Sequence, residues 1–251
     1  MSIQADRIIA VRTGKTVYRD GETVLKVFDS DYSKADILNE ALNQARVEET
    51  GICVPKLLEV TKLEDRWTIR SEYIPGKTLA RLMEESPEKE EEYLELFASI
   101  QADIFHHESP ELPKLKDKMC RKIGQSDLDA TTRYDLYTRL DSMPTHRKIC
   151  HGDFNPSNIM IRPDGVPVIL DWSHATQGNA SADAARTYLL SSLAGKGELA
   201  ERYLTLFCDK TGTALHYVQR WMPIVAASQL VKEKPEEREF LMKWVSVVDY
   251  E

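Results

Sequence analysis

The chain is poor in cysteine: Cys53, Cys120, Cys150 and Cys208 are scattered through 251 residues with no C-x-x-C pair. Such spacing argues against a disulfide framework or a zinc site and fits a reducing cytoplasm, with the thiols as small buried residues. No apolar run is long enough to span a bilayer. The opening Met-Ser-Ile-Gln-Ala-Asp has no basic stretch leading into an apolar one, so no signal peptide is expected. Basic residues are outnumbered, 33 Lys and Arg against 41 Asp and Glu, for a net charge of −8. That balance argues against nucleic acid or an anionic membrane as partner and is compatible with a cationic substrate. Internal repeats and low-complexity segments are also missing. What remains is a composition of 29% charged and 42% hydrophobic residues, that of a folded globule able to bury one large domain or two lobes.

The patterning changes along the chain. Residues 7–12, 16–19 and 23–28 read as strands, with Asp20-Gly21 as a hairpin signal. In the third strand Val24, Lys26 and Phe28 alternate with Leu25 and Val27, so Lys26 shares a face with apolar side chains. Ser33 with Asp36 resembles a capping box, and Ile37, Leu38, Ala41, Leu42 and Ala45 recur at helical spacing up to Gly51. A strand-rich stretch runs from Val54 to Ile74 and breaks at Pro75-Gly76. A lobe boundary is placed there, giving residues 1–74 and 75–251. Helices are expected over 78–85, 88–106, 114–123, 127–141 and from Ala182 onward. A loop at 151–158 and a hairpin around Pro163-Asp164-Gly165 interrupt them. The fold class is α+β: a small antiparallel sheet, then a mainly helical lobe, with a nucleotide expected in the cleft between them.

The chemistry concentrates in that interruption. His151-Gly152-Asp153 is followed by Asn158, five residues after the Asp, and by Asp171-Trp172 at the end of an apolar run. Phosphoryl transfer asks for neutralised charge, an aligned acceptor and little water. Asn158 and Asp171 offer the oxygen ligands that Mg²⁺ prefers. Asp153 is placed to accept a hydrogen bond from an acceptor hydroxyl. Its ordinary pKa of about 3.9 makes it an orienting group first and a proton acceptor late. The expected activity is transfer of a nucleotide's γ-phosphoryl group to a hydroxyl. Three apparent motifs are set aside. Gly14-Lys15-Thr16 lacks the first glycine of a P-loop, because position 9 is Ile9, and it lies between strands. His106-His107 has no metal-ligand spacing. Trp221 and Trp244 read as core residues at helical spacing.

These motifs, from the first hairpin to about Tyr188, resemble the aminoglycoside phosphotransferase and choline kinase family, whose fold is like that of protein kinases. The His-Gly-Asp-x-x-x-x-Asn pattern is present in full at His151, Gly152, Asp153 and Asn158. The resemblance implies Asp153 as catalytic residue, Asn158 and Asp171 as Mg²⁺ ligands, ATP or GTP as co-substrate, and a small aminoglycoside-, choline- or sugar-like molecule as acceptor. It implies that Lys26 contacts nucleotide phosphates, a snorkelling surface lysine being the other reading. Glu40 is preferred to Glu48 as the carboxylate opposite Lys26. Glu72, Tyr73 and Ile74 resemble the hinge whose backbone meets the base. His151 supports the loop. Asp183 caps its own helix or braces the loop, and Arg186 pairs with an acid in the loop region. The first hairpin has only Gly14, and no acidic residue follows Trp172 closely, which sets the chain apart from protein kinases and from choline kinases. A protein kinase and a non-catalytic nucleotide-binding regulator are the alternatives. The acceptor and the oligomeric state are not legible.

Overall fold

The computed structural model describes residues 7–246. The N-terminal segment read for a signal peptide and the last residues of the expected helical stretch lie outside that range. Among the described residues the chain forms two compact units: one of those up to Glu85 with Pro156–His174, the other of Ser86–Asn155 with those from Ala175 on. The hairpin beyond the loop that starts at His151 is therefore grouped with the N-terminal residues, and the division falls between Asn155 and Pro156.

The first unit opens with β1 (Arg7–Arg12), β2 (Lys15–Asp20) and β3 (Thr23–Phe28). Asp20 pairs with Thr23, so the two-residue connection is Gly21-Glu22, one position later than the Asp20-Gly21 signal suggested. Gly21 has φ +56°, a conformation glycine adopts at little cost. Helix α1 (Lys34–Glu48) follows, and Ser33 caps it by accepting from the Asp36 N–H at 3.4 Å. Then come β4 (Leu57–Leu63) and β5 (Arg66–Glu72), completing an antiparallel sheet of order β1-β2-β3-β5-β4. Phe28, Ile37, Ala41 and Ile69 form the core between sheet and α1, each large apolar side chain contributing about 1.5–3 kcal/mol by burial.

The expected apolar stripe of α1 is only half right. Ile37 and Ala41 are buried, but Leu38 and Leu42 are 41% and 47% exposed, while Glu40 and Asn43 are buried in their place. The helix is rotated so that a polar strip faces inward, because those side chains have partners there. The unit continues with β6 (Lys77–Thr78) and α2 (Leu79–Glu85).

The second unit begins with α3 (Glu90–Ile104), α4 (Leu115–Gln125), α5 (Ala130–Ser142) and β7 (Lys148–Cys150). The chain then returns to the first unit for β8 (Ile159–Ile161) and β9 (Pro167–Ile169), which extend β6 into a three-stranded sheet. Gly76 is fixed by this sheet: an added Cβ would lie 2.1 Å from the Ile161 carbonyl oxygen. Back in the second unit, β10 (Thr176–Gly178) pairs with β7, a ribbon the sequence did not reveal. Five helices follow: α6 (Ala180–Leu193), α7 (Gly197–Thr211), α8 (Leu215–Gln219), α9 (Met222–Leu230) and α10 (Pro235–Val245). α6 packs on α7 and α9, α3 on α7, and α4 on α9. Trp221 is fully buried, and Trp244 meets Tyr188 edge-on at 6.0 Å. Of the four thiols expected to be buried, only Cys150 is; Cys53 and Cys120 are exposed. No helix among the described residues is long and apolar enough to cross a membrane.

Candidate active site

In the first unit the pairing of β2 with β3 sets Lys15 opposite Phe28 and Val17 opposite Lys26. Lys15, Lys26 and Phe28 therefore project from one face of the sheet, the face that α1 covers. Glu40 of α1, with its side chain 8% exposed, is ion-paired to both lysines: to Lys26 through Oε1, and to Lys15 through Oε2 at 3.3 Å. Lys26 Nζ also lies 3.6 Å from Asp171 Oδ1. Burial pulls the Lys26 pKa down, but the Asp171 and Glu40 carboxylates more than offset it, so the net shift is upward and the group stays an ammonium. Glu48, the other candidate, instead accepts from the Leu57 N–H at 2.9 Å.

Asp171 follows β9 with φ +56°. A non-glycine residue in this region costs on the order of 1 kcal/mol and persists where its surroundings over-determine it. Three bonds do so here. The Leu170 N–H donates to the Asn158 carbonyl at 2.8 Å, Trp172 Nε1 to the Ile169 carbonyl at 3.1 Å, and Asn43 Nδ2 to the Ser173 carbonyl at 3.3 Å. The first ties the residue before Asp171 to the backbone of Asn158, the other expected metal ligand. The third explains why Asn43 is buried on α1.

The expected hinge lies at the end of β5. The Glu72 N–H donates to the Lys56 carbonyl and the Tyr73 N–H to the Glu22 carbonyl, both at 2.9 Å. Arg19 stacks on the Tyr73 ring at 3.9 Å. Ile74 is buried, and its N–H meets no acceptor among the described residues.

The second unit holds the other group. His151 is fully buried; its Nδ1 accepts from the Asp153 N–H at 3.2 Å, and its ring meets Phe154 edge-on at 5.8 Å. Phe154 in turn stacks on Phe97 at 4.6 Å. The Asp183 carboxylate accepts from the His151 N–H at 3.0 Å, the Gly152 N–H at 2.7 Å and Gln101 Nε2 at 3.2 Å. Of the two roles open to Asp183, the structure shows bracing; Asn179 caps α6 by accepting from the Ser181 N–H. Arg186 Nε donates to the Gly152 carbonyl, and Nη1 to Gln229 Oε1 at 3.4 Å. Burial lowers the Arg186 pKa against the attraction of Asp153, Asp183 and Glu237.

The sequence-derived residues thus fall into two groups: Lys26, Glu40, Asn158 and Asp171 with the hinge in one unit, and His151, Asp153, Asp183 and Arg186 in the other. Sequence reasoning missed Lys15, Asn43, Gln101 and Tyr32. Tyr32 packs on Phe28 at 5.0 Å, and Gly14 (φ +76°) makes room for it, since an added Cβ would lie 2.8 Å from the tyrosine ring. Burial first, then Glu40, Asp36 and Asp171, push the Tyr32 phenol up.

An antiparallel sheet with one packed helix, a mostly helical remainder and this arrangement of charges define a kinase-like fold. The profile of the phosphotransferase enzyme family matches residues 9–221, and the chain belongs to that family. Among solved structures of similar fold is a thermostable mutant of aminoglycoside phosphotransferase APH(4)-Ia, at 16% identity and TM-score 0.67, covering 95% of this chain and 90% of that one. A second is choline kinase LicA from Streptococcus pneumoniae, at 14% identity and TM-score 0.65, covering 97% and 93%. A third is aminoglycoside-3'-phosphotransferase of type VIII, at 19% identity and TM-score 0.62, covering 88% of each. APH(4)-Ia has been crystallised with ADP and hygromycin B, and LicA with AMP. No curated protein matches in sequence.

Proposed function

We propose that this member of the phosphotransferase family moves the γ-phosphoryl group of ATP to a hydroxyl of a small molecule in the cytoplasm. The observation that carries the reading is the ammonium of Lys26 held between the Glu40 and Asp171 carboxylates. A cation so placed is a counter-charge for nucleotide phosphates, and Glu40 keeps it extended toward them. The Ile74 N–H is the free donor of the hinge, suited to a base edge.

The donor chemistry fits Mg²⁺. Asp171 and Asn158 provide one carboxylate and one amide, hard oxygen ligands that leave positions for phosphate and water. When bound, the ion would neutralise phosphate charge. The chain's own residues do the rest. Asp153 accepts the hydrogen bond of the acceptor hydroxyl and receives its proton as the bond to phosphorus forms. His151 and Asp183 hold the backbone on either side of Gly152, which fixes where Asp153 begins.

Asp153→Asn removes the proton acceptor and keeps the shape. ADP release is expected to fall at least ~100-fold, within the usual range for a general base. ATP affinity, measured by calorimetry on the same protein, should stay within about threefold, since no group placed on the phosphates has changed. Undiminished turnover would refute the role of Asp153.

A further inference from the structure

Apart from the residues assigned to the reaction, the second unit contains a cavity of about 590 Å³. That size is within the range of small-molecule pockets. The ends of α3 and α7, the start of α6, β7 and α8 frame it. His151, Asp153, Asp183 and Arg186 are not in its wall.

The wall is rich in groups that attract negative charge. His106, without the spacing of a metal ligand, lies there beside His146 from the segment before β7. Lys148 of β7 and Lys210 from the last turn of α7 complete the set. No described carboxylate lines the cavity. Lys148 is paired at 3.2 Å with Glu108, which stands outside the wall. Lys210 has no carboxylate partner among the described residues.

Two hydroxyls in the same wall are left with a hydrogen bond to make. Asn179 caps α6 through Oδ1, and its Nδ2 donates to the Tyr217 hydroxyl oxygen at 2.7 Å. Tyr217 is thereby an acceptor, and its own proton has no acceptor among the described residues. Ser181 is 3% exposed, and its hydroxyl makes no hydrogen bond among the described residues. A buried hydroxyl in that state has lost water without compensation, which a ligand oxygen would supply. Ala180 and Ser181 also bring the positive end of α6, a helix of 14 residues, to the cavity. The rest of the wall includes apolar surface: Phe105 and Phe207, both buried, meet edge-on at 5.9 Å.

We propose that this cavity is a second ligand site, and that it takes a small organic anion, a carboxylate or phosphate carried on an aromatic body. The anionic oxygens are received by Lys210, Ser181 and Tyr217, and the ring packs against the two phenylalanines. The site does not depend on the kinase reading.

The test uses the full chain and three probes: phenyl phosphate, benzoate and the neutral benzamide. Each is titrated calorimetrically in the presence of excess AMP-PNP, which keeps the probe out of the nucleotide site. At least one of the two anions is expected to bind tenfold or more tightly than benzamide. In the Lys210→Met/Ser181→Ala variant the same anion should bind at least tenfold more weakly. Neither substitution removes a hydrogen bond or ion pair from the free protein, so thermal unfolding without probe should be unchanged, as should AMP-PNP affinity. Should the double variant fail to fold, Lys210→Met alone, at an exposed position, should still weaken the anion at least threefold. No binding of either anion, benzamide binding as tightly, or anion binding indifferent to the substitutions would overturn the proposal. A variant that loses AMP-PNP along with the anion would overturn it too, by assigning the effect to the nucleotide site. Anion binding in a chain that takes no AMP-PNP and releases no ADP would sink the kinase reading and leave this site standing.

Discussion

In the first unit the charged groups of the site hold one another; in the second they are held by backbone. Lys26, Glu40, Lys15 and Asp171 form a chain of ion pairs whose two middle members, Lys26 and Glu40, each have two partners. Asp183 and Arg186 instead grip the peptide groups of His151 and Gly152. The difference suits the two tasks proposed for them. A set that must accept a highly charged nucleotide benefits from exchangeable counter-charges. A loop that must present one carboxylate at a fixed position benefits from bonds that do not exchange.

The contrast predicts unequal tolerance to substitution. Asp183→Ala strands two buried N–H donors, each costing about 1–3 kcal/mol when unsatisfied. Urea denaturation should show a loss of about 3–5 kcal/mol, and ADP release should drop with it. Asp183→Asn restores one acceptor oxygen and should recover roughly half of the stability. A fully stable Asp183→Ala protein would mean that the loop is held by something other than that carboxylate.

In the ion-pair chain the single substitutions should be mild and the double one severe. Lys26→Met leaves Glu40 bonded to Lys15, and Lys15→Met leaves it bonded to Lys26. Each is expected to cost about 1 kcal/mol of stability. Removing both leaves a buried, unpaired carboxylate, at about 3–5 kcal/mol. The double-mutant cycle should therefore show a coupling of more than about 1 kcal/mol. Lys26→Met alone should still depress turnover at least ~100-fold, because Lys15 replaces it for Glu40 but not for Asp171. Additive stability losses would erase the distinction between the two units.

How much of this was legible follows from the length scale of each signal. β3 and the catalytic-type loop were readable, since alternation over six residues and a spacing of five are local facts. Glu40 was preferred to Glu48 for its mid-helix place at the edge of the apolar stripe and partly through family resemblance, and it is Glu40 that pairs with Lys26. The β7–β10 ribbon was not readable, because three residues are too few to show a period. Lys15 was passed over as a fragment of a broken P-loop. The hairpin register carried the missing signal: with Asp20 opposite Thr23, counting back puts Lys15 opposite Phe28, on the same face as Lys26.

The face of α1 is where the sequence misled, and it offers the smallest test. Helical periodicity assigns the inward face to the leucines because burial usually follows apolar surface. Here Glu40 and Asn43 have inward partners in Lys15, Lys26 and the Ser173 carbonyl, and the helix turns to reach them. Leu38 and Leu42 are left outside. Leu42→Gln should then change stability by less than about 0.5 kcal/mol, as exposed substitutions generally do. Asn43→Ala, one position on, should cost about 1–2 kcal/mol for its lost bond. A large loss at Leu42 and none at Asn43, read by thermal or urea unfolding, would restore the apolar stripe and rotate Glu40 away from the lysines. The ion-pair chain of the first unit would go with it, whereas the backbone-held loop of the second would be untouched.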